Sequence, residues 1–276
     1  MTRKTSFYYS FLVLPKAQRE AITAVFDICR AIDDSVDLEP DAARARTALE
    51  SWRAEVARVF EGRAPETAPG RSLQPFVGPF HLPREQFEAL IDGVAMDVTP
   101  RRYANFSELE PYCHRVASSV GLMCAAIFGV RDPSALTYAR DLGVALRLTN
   151  ILRDVGVDYQ RGRCYLPLDD LEKFGCTEAD LAREAARLTP GLANEHVRAL
   201  LDHQAARARI FFARAARALP KAEASRFAAA EIMRAIYWDL LRRVEANRFD
   251  VFPGVIRVPK PAQAWLAMKT WWALRR

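Results

Sequence analysis

Apolar residues recur three and four positions apart along almost every long segment of this chain, and that periodicity leaves little room for anything but packed helices. Between Pro15 and Asp37 the recurring positions are Ile22, Val25, Phe26, Cys29, Ile32 and Val36, with Pro15 placed near a helix start. The same spacing predicts helices over about 40–60, 83–97, 106–128, 133–157, 178–187, 192–218, 222–247 and 261–273. Strand-like alternation is nearly absent. Pro and Gly punctuate the pattern at 65–70, 75–83, 99–102, 129–133, 162–167, 189–191, Pro220 and 253–261. None of these stretches is long enough to separate domains, and no repeat of fixed period is visible. The expectation is one all-α domain over residues 1–276, long enough to bury a large core.

With half its residues apolar and 27% charged, the chain has the balance of a soluble globular protein. The net charge of +6 suits an anionic substrate, an anionic membrane or nucleic acid, and does not choose among them. Cys29, Cys113, Cys124, Cys164 and Cys176 are odd in number and never at C-x-x-C spacing, so free thiols in a reducing cytoplasm are expected. The short apolar run Phe11–Leu14 is followed by Lys16, Arg19 and Glu20, which does not suit a secretory signal. The most apolar window elsewhere, Val120–Val130, is well short of the roughly 20 residues that span a bilayer.

Chemistry is concentrated in two strings. In the first, Phe26, Arg30, Asp33 and Asp37 fall on one helical stripe, with Asp33 and Asp37 one turn apart. In the second, Arg147, Asn150, Asp154 and Asp158 form a polar stripe flanked by Leu148, Ile151, Leu152 and Val155, as on a helix that lines a cavity. Like charges one turn apart destabilise a helix by roughly 0.2–0.5 kcal/mol, a penalty a bound divalent cation removes. One such pair is ordinarily a solvated acidic face. Two pairs, each with a polar partner about a turn earlier and each in an apolar surround, point instead to a Mg²⁺-diphosphate clamp, because Mg²⁺ is held by a few carboxylates and completes its shell with phosphate oxygens and water. Arg161 and Arg163 follow the second pair directly and suit forked phosphate recognition.

Other features carry less. His81, His114, His196 and His203 show no metal-ligand spacing. Arg183, Arg187, Arg198, Arg207, Arg209, Arg214 and Arg217 are interleaved with Ala and acids at helical spacing, which reads as a solvated face rather than a nucleic-acid surface. Residues 262–276 combine Trp265, Trp271 and Trp272 with Lys269, Arg275 and Arg276, a composition that suits a membrane interface as well as it suits packing on the core.

Several strings together resemble the squalene/phytoene synthase family, the head-to-head prenyl synthases: Ser6-Phe7-Tyr8-Tyr9, Cys29-Arg30-x-x-Asp33-Asp34-x-x-Asp37, Tyr112-Cys113-x-Arg115-Val116-Ala117-x-x-Val120-Gly121, Asn150-x-x-Arg153-Asp154-x-x-x-Asp158 and Arg161-Gly162-Arg163-x-Tyr165-Leu166-Pro167. The resemblance runs from about Ser6 to Pro259. Ile91-Asp92-Gly93-Val94-Ala95-Met96-Asp97, Phe7-Tyr8-Tyr9 and Arg248-Phe249-Asp250-Val251-Phe252 look most like presqualene diphosphate synthases of bacterial hopanoid pathways. The resemblance implies an isoprenoid-synthase helical bundle with a central cavity, across which Asp33 and Asp37 face Asp154 and Asp158. These four and Asn150 would hold Mg²⁺, or Mn²⁺ in its place, on two farnesyl diphosphates. Ser6, Phe7, Phe26, Arg30, Tyr112, Arg147, Asn150, Arg161 and Arg163 would bind substrate, and Tyr165 and Tyr237 would join the aspartates in catalysis. Two departures stand out: Arg147 where the family usually has Gln, and Val157 where an acid is common.

The implied activity is condensation of two farnesyl diphosphates to presqualene diphosphate, for squalene and hopanoid synthesis, by a prenyltransferase; the expected location is the cytoplasm, with the composition of the tail adding peripheral contact at the inner membrane surface. Squalene, dehydrosqualene or phytoene synthesis is the alternative within the class, and a non-catalytic lipid-binding or assembly-factor relative the alternative outside it. No G-x-G-x-x-G fingerprint is visible, so NADPH is not expected. Nor is a nucleic-acid partner.

Overall fold

Pro15 and Asp132 begin the two helices on which the site is built. The computed structural model describes residues 8–275, so the expected substrate contacts Ser6 and Phe7 lie outside the described residues. Helix α1 (Tyr8–Phe11) is a single turn. α2 (Lys16–Asp37) buries Ile22, Val25, Ile28, Cys29, Ile32 and Val36 along one face, which leaves the Arg30, Asp33 and Asp37 stripe beside the core rather than in it. α3 (Ala42–Phe60), α4 (Ala68–Phe80) and α5 (Arg84–Ala95) pack around it. α6 (Phe106–Cys113) continues through a π-helical turn, His114–Ser118, into α7 (Ser119–Ile127).

The central element is α8 (Pro133–Gln160), whose 28 residues span about 42 Å. Asp132 caps it by accepting from the backbone N–H of Ser134 and Ala135, and Pro133 occupies the first turn, where a missing N–H does no harm. Around it pack α7, α10 (Glu178–Ala185), α11 (Glu195–Ala218) and α12 (Ala228–Ala246). The short α9 (Leu168–Lys173) follows the segment after α8, and α13 (Lys260–Ala273) lies on α12 and α1. One contiguous cluster of buried apolar side chains runs from Leu14 to Ala267, as expected of one all-α body, and the five thiols are free.

Three helices lie outside the sequence expectation: the single turn α1, α4 and α9. α4 was expected to be punctuation because Pro69, Pro75 and Pro79 crowd it. It forms because Pro69 sits in the first turn and Thr67 caps it, its Oγ1 accepting from Gly70 N–H at 3.0 Å. The buried Glu55 carboxylate of α3 anchors that entry by accepting from Glu66 N–H, Thr67 N–H and Thr67 Oγ1. α9 is simply too short to show a period. At the other extreme, α8 continues past 157 to Gln160, so Asp154 and Asp158 share one helix, one turn apart.

α8 approaches the π-helical turn closely enough to need glycine. A Cβ on Gly143 would stand 2.6 Å from Ser118 Cα and 2.7 Å from Ser118 N, and Ser118 Oγ donates to Arg140 O at 2.7 Å across the same contact. Backbone on both sides leaves nothing flexible to yield. Gly143→Ala is therefore expected to destabilise the fold by about 2 kcal/mol despite alanine's better helix propensity. Urea unfolding measures it, and a variant as stable as the parent would show that the two backbones are not in contact.

Candidate active site

The helices enclose a cavity of about 320 Å³, within the size range of about 300–1,000 Å³ typical of small-molecule sites. Its axis follows α8, where Tyr138, Leu142, Leu146, Arg147 and Asn150 line one side at helical spacing. From residue 138 to residue 150 is about 18 Å of helix rise. The end near Tyr138 is apolar, closed by Phe128, Tyr138 and Phe227, whose rings meet edge-on with Phe227 in the middle. The other end is polar, where Arg30 and Asp33 of α2 meet Arg147 and Asn150 of α8. Such a cavity suits a ligand with an ionic head and a hydrocarbon tail.

Around the polar end the structure gathers charge. The protein mass around Asp33 pushes its carboxyl up to about 7; Arg147 opposes that shift, and Asp37, Asp97 and Asp34 add to it. Its side chain nonetheless opens onto the cavity. Asp158 rises to about 6, again chiefly through burial, against the pull of Arg147 and Arg163 and with Asp154 and Asp97 raising it further. Asp37, at the last turn of α2, accepts from Arg163 Nη1 at 2.6 Å, which ties the first acidic helix to the turn that follows the second. Asp154 is held by its neighbour Arg153, whose Nε donates at 2.8 Å. The two acidic segments therefore converge, with Arg147 and Arg163 between them.

Arg147 is the hub. Its Nη2 donates to the Tyr112 hydroxyl, and its guanidinium lies over the Tyr112 and Tyr165 rings at 4.9 and 5.0 Å. Those rings stack on each other at 5.1 Å. Both phenols donate to one carboxylate, Tyr112 to Asp97 Oδ2 at 2.7 Å and Tyr165 to Asp97 Oδ1 at 2.8 Å. Burial lifts both hydroxyls above the usual phenol range. Burial also disfavours the charge on Arg147, but Tyr112, Tyr165, Asp97 and Asp158 hold it above its usual range, so it remains a cation.

Each expected site residue can now be placed. Asp33, Arg30, Phe26, Arg147, Asn150 and Tyr237 line the cavity. Tyr112 and Tyr165 do not; Arg147, which does, covers them. Asp37, Asp154, Asp158 and Arg163 lie around the polar end rather than on the cavity wall. Arg161 is exposed at the C-cap of α8. Asp97 ends the string that resembles presqualene diphosphate synthases and is not among the expected site residues. The signal for it was physical: buried phenols need an acceptor, and Asp97 follows the apolar face of α5. Asp97→Asn removes one of its two acceptor oxygens and turns an N–H₂ toward a phenol. A loss of about 2 kcal/mol is expected in thermal unfolding, and an unchanged melting temperature would contradict the shared acceptor.

The donor set also bears on a metal. Among the described residues no three Asp, Glu, His or Cys side chains gather closely enough to hold an ion by themselves. Asn150 Oδ1, however, is buried without a hydrogen-bond partner, while Asn150 also hydrogen-bonds Tyr237. A buried carbonyl oxygen left unpaired costs about 1–3 kcal/mol, a cost that a cation bound at the polar end of the cavity would offset. Hard oxygens in two separated sets, each needing more ligands, fit a divalent cation that completes its shell with phosphate oxygens and water.

The squalene/phytoene synthase family model matches residues 2–262. Among curated relatives, 15-cis-phytoene synthase of Synechocystis sp. is 35% identical over 279 residues, covering 95% of this chain and 80% of that protein. Presqualene diphosphate synthase of Zymomonas mobilis is 42% identical over 175 residues, covering 63% of this chain and 60% of that protein. Among solved structures, a dehydrosqualene synthase in complex with ligand superimposes with a TM-score of 0.86 at 27% identity, over 99% of this chain and 93% of that one. Squalene synthase HpnC from Alicyclobacillus acidocaldarius does so at 0.75 and 28%, over 88% and 89%.

Proposed function

The chain belongs to the squalene/phytoene synthase family, and from that premise we propose that it condenses two farnesyl diphosphates head to head into presqualene diphosphate. The observation that carries this reading is the gathering of Arg30, Asp33, Arg147 and Asn150, the last with an unpaired Oδ1, on the wall of an otherwise apolar cavity. Asp33 and Asp37 on one side, and Asn150, Asp154 and Asp158 on the other, would hold Mg²⁺ or Mn²⁺, which when bound supplies a Lewis acid and a charge sink for the departing diphosphate.

The chain's own residues do the rest. Arg30, Arg147 and Arg163 bring positive charge to the diphosphates, with guanidinium forks suited to phosphate oxygens. The apolar wall aligns the two prenyl chains and keeps water from the allylic cation that forms at C1′ of the donor when its C1′–O bond breaks. Phe26 and Tyr237 line the cavity, and a ring face turned to that cation would be worth roughly 0.5–2 kcal/mol each. The acceptor's C2=C3 electron pair then forms one bond, C1′–C2, which leaves a tertiary cation at C3, and the C1′–H pair closes the cyclopropane as the C1′–C3 bond when that proton leaves. Burial holds the Tyr237 phenol above its usual range, so it keeps its own proton, and an oxygen of the released diphosphate is the better acceptor.

A second reading, phytoene synthesis from two C20 diphosphates, is favoured by the greater length over which the phytoene synthases match. Incubation with farnesyl or geranylgeranyl diphosphate and Mg²⁺, followed by mass spectrometry, decides between them. A C30 cyclopropyl diphosphate is expected. Turnover of the C20 substrate alone would replace the reading, and no turnover of either would leave a lipid-binding relative.

A further inference from the structure

We propose that α13 docks this protein on an anionic lipid surface. Residues 251–276 contain no Asp or Glu but carry Arg257, Lys260, Lys269, Arg275 and Arg276, against a whole chain with 34 acids to 40 bases. Within this stretch α13 packs one face inward: Gln263 and Ala267 are buried, and Trp271 is half-buried against the core. The opposite face holds Trp265, Met268 and Trp272, three and four residues apart and therefore on one stripe, with 53%, 63% and 61% of their surfaces exposed. Single exposed apolar residues are ordinary, but three of the largest aligned on one helix make a continuous apolar strip.

The geometry of charge around that strip selects the occupant. Lys269 Nζ lies 4.9 Å from the Trp265 ring centroid, and the Arg275 guanidinium 3.8 Å from that of Trp271. Cations seated on indole rings at the edge of an apolar strip can reach headgroup phosphates while the rings settle at the acyl boundary. A protein partner would need matching acids around an apolar groove; a bilayer rich in anionic lipid provides both features over any orientation about the helix axis. The position is also apt. α13 packs on α1 and α12, which contribute Phe11, Ala230 and Met233 to the cavity wall, so the strip lies one helix layer from the cavity. The inference stands on α13 itself and survives if the proposed substrate is wrong.

Co-sedimentation of the full chain with phosphatidylglycerol vesicles tests it, with phosphatidylcholine vesicles as the comparison. Binding to the anionic vesicles, a blue shift of tryptophan emission on binding, and weakening as ionic strength rises are the expected results. Trp265→Ser combined with Met268→Ser should lower the partition coefficient about tenfold or more, while the melting temperature and turnover of detergent-dispersed substrate stay those of the parent. Lys269→Glu should weaken binding to phosphatidylglycerol vesicles without affecting turnover. Absence of binding overturns the proposal, as does equal binding to both lipids or unchanged binding by the double variant. A concentration-dependent dimer that the double variant loses, with no vesicle binding, would assign the strip to a second copy instead.

Discussion

Asp33→Asn is expected to inactivate the protein and to stabilise it at the same time. The carboxyl sits near pH 7 because the surrounding protein disfavours its charge, whereas in the unfolded chain it ionises near 3.8. The sign follows from linkage. A carboxyl whose folded value is raised binds its proton more tightly in the native state, so it drains stability as pH rises through that interval and leaves a constant penalty above it. Asparagine has no charge to bury. Allowing for the solvent that reaches Asp33 from the cavity, the gain at about pH 8 should be on the order of 1–2 kcal/mol, a few degrees in melting temperature, and should vanish by about pH 4. Turnover should fall by about 10³ or more, because a carboxylate that holds a charge-neutralising metal contributes several kcal/mol to the transition state. A variant that is both less stable at pH 8 and fully active would remove Asp33 from the site.

Arg147→Gln carries the largest expected effect on stability. The side chain is the buried cation that lowers the carboxyls of both Asp33 and Asp158, and it covers the stacked phenols. Removing one partner from a buried charge cluster costs about 3–5 kcal/mol. Because the uncompensated groups are acids, the deficit should be greatest at about pH 8 and shrink below about pH 6, as Asp33 and Asp158 take up protons. Added Mg²⁺ should recover part of it at the higher pH. Urea unfolding across pH, with and without Mg²⁺, measures this. A deficit independent of pH would make Arg147 a packing residue for Tyr112 and Tyr165 and nothing more.

Much of this was legible in the chain because helices announce themselves locally. The three-four spacing that buries Ile22, Val25, Cys29 and Ile32 also fixes where Asp33 and Asp37 must lie, and the acid stripe of α8 follows from the same arithmetic. What was not legible depends on contacts between distant segments. No local pattern says that Arg163 reaches Asp37 across 126 residues, or that Asp97 accepts from both Tyr112 and Tyr165. The placement of Tyr112 and Tyr165 behind Arg147 is likewise a tertiary fact. α4 was hidden for the opposite reason: its local signals are three prolines, and the anchoring carboxylate of Glu55 belongs to another helix.

The central claim is that two acid-bearing helices grip diphosphate through divalent metal at the polar end of the cavity. Crystals grown with Mn²⁺ and an unreactive prenyl diphosphate analogue test it most directly, by anomalous scattering at the manganese edge. Manganese bound to Asp33 or Asp37 and, separately, to Asn150, Asp154 or Asp158, with diphosphate bridging the two, is the expected result. A diphosphate seated elsewhere, or held at this end by the arginines with no manganese beside it, would contradict the account.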